Sequence, residues 1–395
     1  MWKNRIHVGA WNGVNELETV EKDFQEIAKS GMDFIIMTYM HDKKSEQNLA
    51  WAEKYNVNIL MWDTRVNGNF NITDNELRQI TEEYKNSPSF AGFALCDEPG
   101  MSEYPNLQKI AKVCKSVYPE KEVHINLLPM YAAPFVFGDI EFTDYLEDFA
   151  VKVPSIKAIS TDTYPFLIDD NGVKTTYDDY LRAFDIQAAL CRKYGCEFWM
   201  YIQSMQFLPN RKPDLADFRF QVYCSLAFGA KAILHFCYHM TPGNKGADPF
   251  SAIQGNGEKC DLWELERIVN NELLGLSDIY LQYTNVGAFP YKLEDSPRYL
   301  EFDNIYEDDR IKNIDSTESL LFGVFEKNDN KSKAYVIVNM AEMQDGKMAE
   351  VSLEIDGAKK VTAYIKAVKV EIEPVDGNKY QFSLDVGEGI FLTVD

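Results

Sequence analysis

Short apolar runs, rich in β-branched and aromatic residues, recur eight times before residue 240, and longer amphipathic stretches fill the intervals between them. This alternation is typical of repeated βα units, whose strands lie side by side in a parallel sheet. Eight such units in roughly 285 residues match the size of a (β/α)8 TIM barrel, so we predict an α/β barrel over residues 1–285. The predicted strands are 7–11, 34–39, 57–62, 90–95, 124–128, 158–161, 198–202 and 232–236.

Helical patterns occupy the intervals between these runs. Two of them have clear start signals, which are Thr73 followed by Glu76, and Asp214 after Pro213. An open, doubly wound sheet is the alternative fold, but it usually has fewer strands, and the glycine-rich turn of dinucleotide-binding sheets is absent here. We therefore favour the barrel and expect no cofactor. The predicted helices are 20–30, 46–54, 74–86, 104–117, 176–194, 214–228 and 262–281.

The pattern changes near residue 286, where short alternating runs such as 333–338 and 361–365 begin. Asp-Gly pairs starting at Asp345, Asp356 and Asp376 separate some of these runs, and such pairs favour hairpin turns. Strands of this length and spacing predict an antiparallel β-sandwich over residues 286–395. No chemistry is evident in this part of the sequence.

The chain is strongly acidic, with 62 Asp and Glu against 40 Lys and Arg and a formal net charge of -22. A field of this sign repels phosphate backbones and anionic lipid headgroups, so we expect neither nucleic acid nor a membrane as a partner. The first apolar strand starts too early for a signal peptide to precede it. We expect a cytoplasmic protein, or one whose leader has been removed, and leave its oligomeric state open.

Metal and thiol chemistry are weakly indicated. The seven cysteines form no Cys-x-x-Cys pair, and buried reduced thiols explain them best. His235, Cys237 and His239 alternate along the eighth predicted strand, but three ligands on one strand need a fourth from elsewhere. We therefore predict no metal site.

The active site of a barrel lies at the carboxyl ends of its strands, so the residues that end each apolar run are the candidates. These positions carry carboxylates and aromatic rings and no lysine, a combination that suits a neutral, polyhydroxylated ligand such as a sugar. The predicted partner is therefore a carbohydrate substrate. The candidate substrate-binding residues are Trp11, Asn12, Tyr39, Trp62, Asp63, Tyr131, Tyr164, Tyr201, Gln203, Tyr238 and His239.

Three carboxylates among the strand ends, Asp97, Glu98 and Asp162, are the candidate catalytic residues. Strict alternation along the fourth strand would put Gly92, Ala94 and Cys96 on one face with Glu98, so we expect Glu98 to point inward. On the sixth strand, the same rule turns Ala158, Ser160 and Asp162 inward.

The run Gly-Phe-Ala-Leu-Cys-Asp-Glu-Pro at 92–99 resembles the end of the fourth strand in the large clan of barrel glycoside hydrolases. The stretch 228–236 is similar to the approach to the eighth strand in glycoside hydrolase family 42 and its relatives, and 263–276 looks like the helix that follows it. With the terminal β-domain, the resemblance covers nearly the whole chain. It implies a glycoside hydrolase in which Glu98 is the general acid/base.

The sequence departs from this clan at two positions. Gln203 stands where the clan has a second catalytic Glu at the end of the seventh strand, and glutamine cannot form a covalent glycosyl intermediate. Asp97 replaces the Asn of the fourth-strand motif.

Three interpretations remain open. The first is an inverting hydrolase with Glu98 as acid and Asp162 as base, for which a carboxyl separation of about 6.5–9.5 Å is required. In the second, Asp97 orients a 2-acetamido group of the substrate, as the adjacent Asp-Glu pair in barrel N-acetylhexosaminidases suggests. The third is a carbohydrate-binding relative without turnover.

Overall fold

The computed structural model describes residues 4–14, 20–37, 43–240, 250–293, 304–328 and 332–395. Within them, ten strands come before the last long helix. They are β1 (His7–Trp11), β2 (Phe34–Met37), β3 (Asn58–Met61), β4 (Phe90–Asp97), β5 (Glu122–Asn126), β6 (Ala158–Thr161), β7 (Phe166–Ile168), β8 (Lys174–Thr176), β9 (Glu197–Gln203) and β10 (Ala232–Phe236).

Eight of these strands form one parallel sheet in the order β5-β4-β3-β2-β1-β10-β9-β6. At its two ends, Leu127 and Thr161 form a single parallel bridge, and the N–H of Leu127 donates to the carbonyl of Ser160 at 2.8 Å. The sheet is therefore a nearly closed barrel, and all eight predicted strands are present. The remaining two strands, β7 and β8, form an antiparallel hairpin directly after β6, which the sequence pattern did not predict.

Helices follow the barrel strands, and both predicted start signals are present. The N–H of Glu76 donates to the Thr73 hydroxyl at 3.3 Å, and the N–H of Asp217 donates to the Asp214 carboxylate at 3.0 Å. These bonds satisfy helix-terminal N–H groups that have no partner inside the helix. The helices are α1 (Glu21–Lys29), α2 (Lys43–Tyr55), α3 (Asp74–Glu83), α4 (Tyr104–Val117), α5 (Pro134–Phe137), α6 (Phe142–Lys152), α7 (Tyr180–Tyr194), α8 (Leu215–Ala227) and α9 (Asp261–Tyr280). No described helix is long and apolar enough to cross a membrane.

The barrel buries two distinct apolar layers because successive strand side chains face opposite sides of the sheet. The outer layer lies between strands and helices and includes Ile159, Met200 and Ile233. Helix α6, absent from the sequence prediction, packs Tyr145 and Phe149 into this layer. The inner layer fills the barrel and consists of Phe34, Ile36, Leu60, Ala91, Ala94, Ala158, Tyr164, Trp199, Tyr201, Ala232 and Leu234.

Beyond α9 the structure is antiparallel. The strands are β11 (Tyr283–Tyr291), β12 (Ile311–Ser316), β13 (Leu320–Lys327), β14 (Lys333–Asn339), β15 (Ala349–Ile355), β16 (Val361–Ile365), β17 (Val368–Ile372), β18 (Lys379–Leu384) and β19 (Gly389–Val394). Six of them pair in the order β11-β13-β14-β19-β16-β17, and the other three pair as β12-β15-β18. Residues of both sheets, among them Ile337 and Leu353, share one apolar cluster.

The larger antiparallel sheet also packs against the barrel. Its Leu321, Phe325 and Phe391 belong to the same outer apolar layer as the barrel helices. The approach is close enough that a Cβ added to Gly323 would lie 2.0 Å from the carbonyl oxygen of Ala227 in α8. Glycine is therefore the residue that this contact admits.

Candidate active site

Two acidic residues lie at the carboxyl end of β4 and are held by the neighbouring strand. Nδ2 of Asn126, at the end of β5, donates to Oδ1 of Asp97 at 3.3 Å. The main-chain N–H of Glu98 donates to the carbonyl of Asn126 at 2.8 Å. Glu98 has a positive φ of 48°, a left-handed conformation that side chains disfavour, and this bond helps to hold it.

Strict alternation along β4 is wrong, because a bulge interrupts the strand. Ala94 pairs with His124 but Cys96 pairs with Ile125, so Leu95 is an extra residue between them. Ala94 accordingly packs in the inner layer and Cys96 against the outer one. Because of the bulge, Asp97 rather than Glu98 continues the inward-facing side of β4, and its side chain bonds to Asn126. Glu98 lies one residue further on, in the turn after the strand.

Strand β6 keeps the predicted alternation. Ala158 lies in the inner layer and Ile159 in the outer one. The Ser160 hydroxyl donates to Oδ1 of Asn126 at 3.3 Å, while the hydroxyl of Thr161 donates outward to Gln187 of α7 at 2.7 Å. Asp162 therefore leaves the strand on the same face as Ser160.

The three carboxyl groups affect one another electrostatically. Asp97 and Glu98 are exposed at the end of β4. The neighbouring protein still displaces part of their bulk water, which raises the pKa of both, and the charge of Asp97 raises the pKa of Glu98 further. Burial raises the pKa of Asp162 well above its ordinary value, and the charges of Glu98 and Asp97 add to this effect. Carboxyl groups in such a cluster retain protons at a pH where an isolated carboxyl is ionised.

Below this acidic cluster (Asp97, Glu98 and Asp162) lies a floor of buried rings. Nε2 of His124 is 3.1 Å from the hydroxyl of Tyr201, and the His124 ring stacks on Trp199 with centroids 5.3 Å apart. Burial lowers the pKa of His124 to about 3, so the imidazole is neutral. Tyr164 is 6% exposed, and no hydrogen-bond partner is found for its hydroxyl in the described structure. The floor therefore supplies polar atoms but no charge.

Aromatic side chains form the walls at the strand ends. Trp11 and Trp62 are half-buried and meet edge to face, with ring centroids 5.3 Å apart. Tyr131 is 45% exposed, and its hydroxyl donates to the main-chain carbonyl of Asp162 at 3.1 Å. Asn12, at the end of β1, shares the left-handed backbone of Glu98 with a φ of 49°. Tyr39, the remaining predicted wall residue, lies outside the described residues.

Asp63 has structural partners that the sequence prediction did not foresee. Its side chain is fully buried, with Oδ2 2.7 Å from Arg65 and accepting the Tyr84 hydroxyl at 2.6 Å. Oδ1 accepts the main-chain N–H of Arg65 at 2.9 Å. These bonds occupy both carboxylate oxygens, so its assignment as a substrate-binding residue is corrected to a structural one.

Gln203 is also corrected, because its amide is sealed under two loops. It is 0% exposed. Its Oε1 accepts the N–H of Phe166 at 3.0 Å, and its Nε2 donates to the carbonyl of Arg211 at 2.7 Å. The side chain thus joins the β7–β8 hairpin to the loop after β9, and substrate cannot reach it in this arrangement.

Tyr238 and His239 line a different cavity. This space of about 380 Å3 lies between the ends of β1 and β10 and helix α1, and its lining includes Asp23 and Lys259. The Tyr238 hydroxyl accepts from Nε1 of Trp263 at 3.0 Å, and Nδ1 of His239 lies 2.8 Å from the Met240 carbonyl. Asp97, Glu98 and Asp162 are not among the residues that line this cavity.

His235 of β10 and His239, three residues beyond the end of that strand, do not converge as metal ligands would. Nε2 of His235 lies 2.8 Å from Oδ1 of Asn270 in α9, whereas His239 faces the cavity beside α1. Among the described residues, no group of three His, Cys, Asp or Glu side chains could hold a metal ion.

Asn126 and His124 are the site residues that sequence reasoning missed. The predicted fifth strand ran to residue 128, whereas β5 ends at Asn126. Reading this end two residues earlier would have placed Asn126 beside the ends of β4 and β6. The polar residue at the strand end was therefore visible in the sequence, but the end of the strand was placed two residues too late.

Comparison with known proteins gives no match to a protein-family model and none to a curated protein. Solved structures do match. One described as a glycoside hydrolase has a TM-score of 0.60 at 13% identity, covering 99% of this chain and 92% of that one. The β-galactosidase of Bacillus circulans sp. alkalophilus has a TM-score of 0.59 at 11% identity, with 99% of both chains covered.

A glycoside hydrolase of family 5 from Bacteroides vulgatus is similar over 99% of this chain and 89% of its own, with a TM-score of 0.58 at 13% identity. Identities this low show the fold and nothing finer. The chain therefore has the barrel fold found in these glycoside hydrolases.

Proposed function

We propose that this protein is a glycoside hydrolase in which Glu98 is the general acid and Asp162 the general base of an inverting reaction. The acidic cluster carries the proposal, because at the carboxyl ends of β4 and β6 the charge of Asp97 raises the pKa of Glu98, and the charges of Glu98 and Asp97 raise the pKa of Asp162. A general acid must hold a proton at working pH, and both the loss of bulk water and repulsion by Asp97 shift Glu98 in that direction. The fold shared with glycoside hydrolases of several specificities supports the same function.

The reaction that these groups support is a single displacement. Glu98 donates its proton to the glycosidic oxygen as the bond from that oxygen to the anomeric carbon breaks. A water molecule attacks the anomeric carbon from the opposite face, and Asp162 accepts the proton that the water loses. Once Glu98 holds a proton, its repulsion of Asp162 disappears, which removes one of the three causes that raise the pKa of Asp162; burial and the charge of Asp97 remain.

The Trp11 and Trp62 rings are the proposed platform for the sugar, since aromatic faces pack against the apolar faces of pyranose rings. Tyr131, Tyr164, Tyr201 and Asn12 are the proposed polar neighbours. The sealed position of Gln203 supports a mechanism without an enzymic nucleophile at the end of β9.

Two alternatives are favoured by particular observations. Asp97 lies next to Glu98 and is held by Asn126, which suits it to orient a 2-acetamido group in a substrate-assisted reaction. The absence of a carboxylate at Gln203 also fits a relative of the family 42-like hydrolases that binds carbohydrate without cleaving it. We further propose that the two antiparallel sheets form a β-sandwich domain that begins near residue 286.

A panel of aryl glycosides, with and without a 2-acetamido group, tests the proposal. We expect hydrolysis of at least one neutral glycoside, with the α or β configuration of the first product opposite to that of the substrate by 1H NMR. Retention together with strict dependence on the acetamido group would replace Asp162 by Asp97 as the second group. If the wild-type protein binds sugars but hydrolyses none of the glycosides, the proposed enzymatic activity is contradicted and the alternative of a non-catalytic carbohydrate-binding protein is supported.

A further inference from the structure

Asn126 is 3% exposed and forms hydrogen bonds with residues of both strands that carry the acidic cluster. Its Nδ2 donates to Asp97, its main-chain carbonyl accepts from the N–H of Glu98, and its Oδ1 accepts from Ser160. Ser160 lies two positions before Asp162 on the same face of β6. One amide at the end of β5 therefore connects the two strands that carry the acids.

The orientation of this amide is determined by its two partners. An amide has one donor end and one acceptor end, and the Ser160 hydroxyl donates to the acceptor end, Oδ1. The donor end, Nδ2, is left facing Asp97. A donor aimed at a carboxyl oxygen stabilises the ionised form of that carboxyl, and this bond opposes the effect of burial on the pKa of Asp97.

Asp162 has less support for its charge. Its Oδ1 is buried, and the described residues provide no hydrogen-bond partner for it. The nearby amide of Asn126 and hydroxyl of Tyr164 lower the pKa of Asp162 only in part. A proton shared by the cluster is therefore better placed on another member than on Asp97.

We propose that Asn126 is a positioning residue that holds Asp97 in its ionised form, so that the negative charge of Asp97 helps Glu98 to keep its proton. Its consequence for catalysis rests on the proposed function, while its effect on Asp97 does not. The groups that face Asp97 are Glu98 on its own element, Asp162 after β6, Tyr164 in the loop after Asp162, Tyr201 on β9 and Cys96. The charges that shift the pKa of the three acids all belong to carboxylates.

Removing the donor has a defined sign. Without Nδ2, the pKa of Asp97 rises, and Asp97 becomes neutral over a range where it was charged. The loss of that charge lowers the pKa of Glu98, because repulsion by Asp97 is one of its causes. Glu98 then loses its proton at lower pH, so the alkaline limb of kcat/KM moves down. The midpoint of Asp97 itself should rise by about one pH unit, as expected for the loss of a hydrogen bond of ordinary strength to a charged group.

The test uses Asn126→Ala, with Gln187→Ala as the matched control. Gln187 is an equally buried amide that bonds to Thr161 and to the carbonyls of Ile159 and Trp199, away from the acids. Carboxyl 13C NMR titration follows Asp97 without any substrate, and the pH profile of kcat/KM follows Glu98. We expect the Asp97 midpoint to rise in Asn126→Ala and to stay at the wild-type value in Gln187→Ala.

Ser160→Ala is the second variant, in case Asn126→Ala does not fold. It frees the amide to rotate, and a smaller rise of the same sign is expected. An Asp97 midpoint unchanged in the variants that fold would overturn the inference, even for an active hydrolase. Conversely, absent hydrolysis with a raised midpoint would overturn the proposed function and leave the role of Asn126 intact.

Discussion

Asp162 shows at the scale of one residue how a carboxyl useful to a site can be costly to the fold. Its pKa is raised by burial and by two neighbouring carboxylates. The native state therefore holds the Asp162 proton more tightly than the unfolded chain does. This difference is unfavourable to folding above the folded-state pKa and disappears below the unfolded value near 4.

We accordingly predict that Asp162→Asn stabilises the protein at pH 8, because the amide has no charge to bury or to be repelled by the neighbouring carboxylates. The gain should vanish as the pH falls towards 3. Urea unfolding at the two pH values measures it, with the exposed Asp170→Asn as the control for a charge removed from solvent. A loss of stability at pH 8 would mean that Asp162 is held by bonds stronger than the repulsion it feels.

Residue directions at the end of β4 could not be predicted from alternation. A bulge adds one residue to a strand, but nothing in the sequence marks which residue is the extra one. Leu95 is apolar like the other residues of this strand. Alternation succeeded on β6, where Ala158, Ser160 and Asp162 face one way, because that strand pairs without interruption. The three acids could be proposed from the sequence because strand ends are marked by the change from apolar to polar residues.

At the scale of elements, the barrel strands were predictable because each is buried on both faces and reads as a continuous apolar run. The hairpin β7–β8 was not. It is held by long-range bonds, such as that from the N–H of Ile168 to the carbonyl of Pro209 at 2.8 Å. A contact between residues some forty positions apart leaves no local pattern in the sequence. The structural role of Gln203 could not be predicted for the same reason, since it depends on a bond to Phe166.

Gln203 should act as a structural clamp between these loops. Gln203→Ala leaves the buried N–H of Phe166 without its acceptor, so we predict a loss of about 1–3 kcal/mol in the free energy of unfolding. Gln203→Glu should be less stable still at neutral pH, because a carboxylate would face the carbonyl of Arg211. Thermal unfolding measures both effects.

The exposed Gln79→Ala is the matched control for this pair and should change stability little. We also expect that Gln203→Glu does not hydrolyse glycosides with retention of configuration, since a carboxylate at this position would be sealed from substrate. A stable Gln203→Glu protein that forms a covalent glycosyl intermediate would contradict the structural role assigned to this residue.

At the scale of the whole molecule, the order of barrel and β-domain was predicted, but the way they meet was not. The sequence predicts a second domain over residues 286–395, whereas the first strand of this part, β11, already starts at Tyr283. The larger antiparallel sheet uses one face for its own core and the other for the barrel helices. The amphipathic pattern of a strand reveals that it has a buried face but does not reveal which element covers it.

The central claim is that Glu98 protonates the leaving group, and the dependence of Glu98→Gln on that group tests it most directly. An acid matters most when the leaving oxygen is basic, so kcat/KM should fall by about 10²–10⁴ on an alkyl glycoside. It should fall far less on a dinitrophenyl glycoside, whose leaving oxygen needs no proton. Equal losses on both substrates, or no loss on the alkyl glycoside, would contradict the role of Glu98.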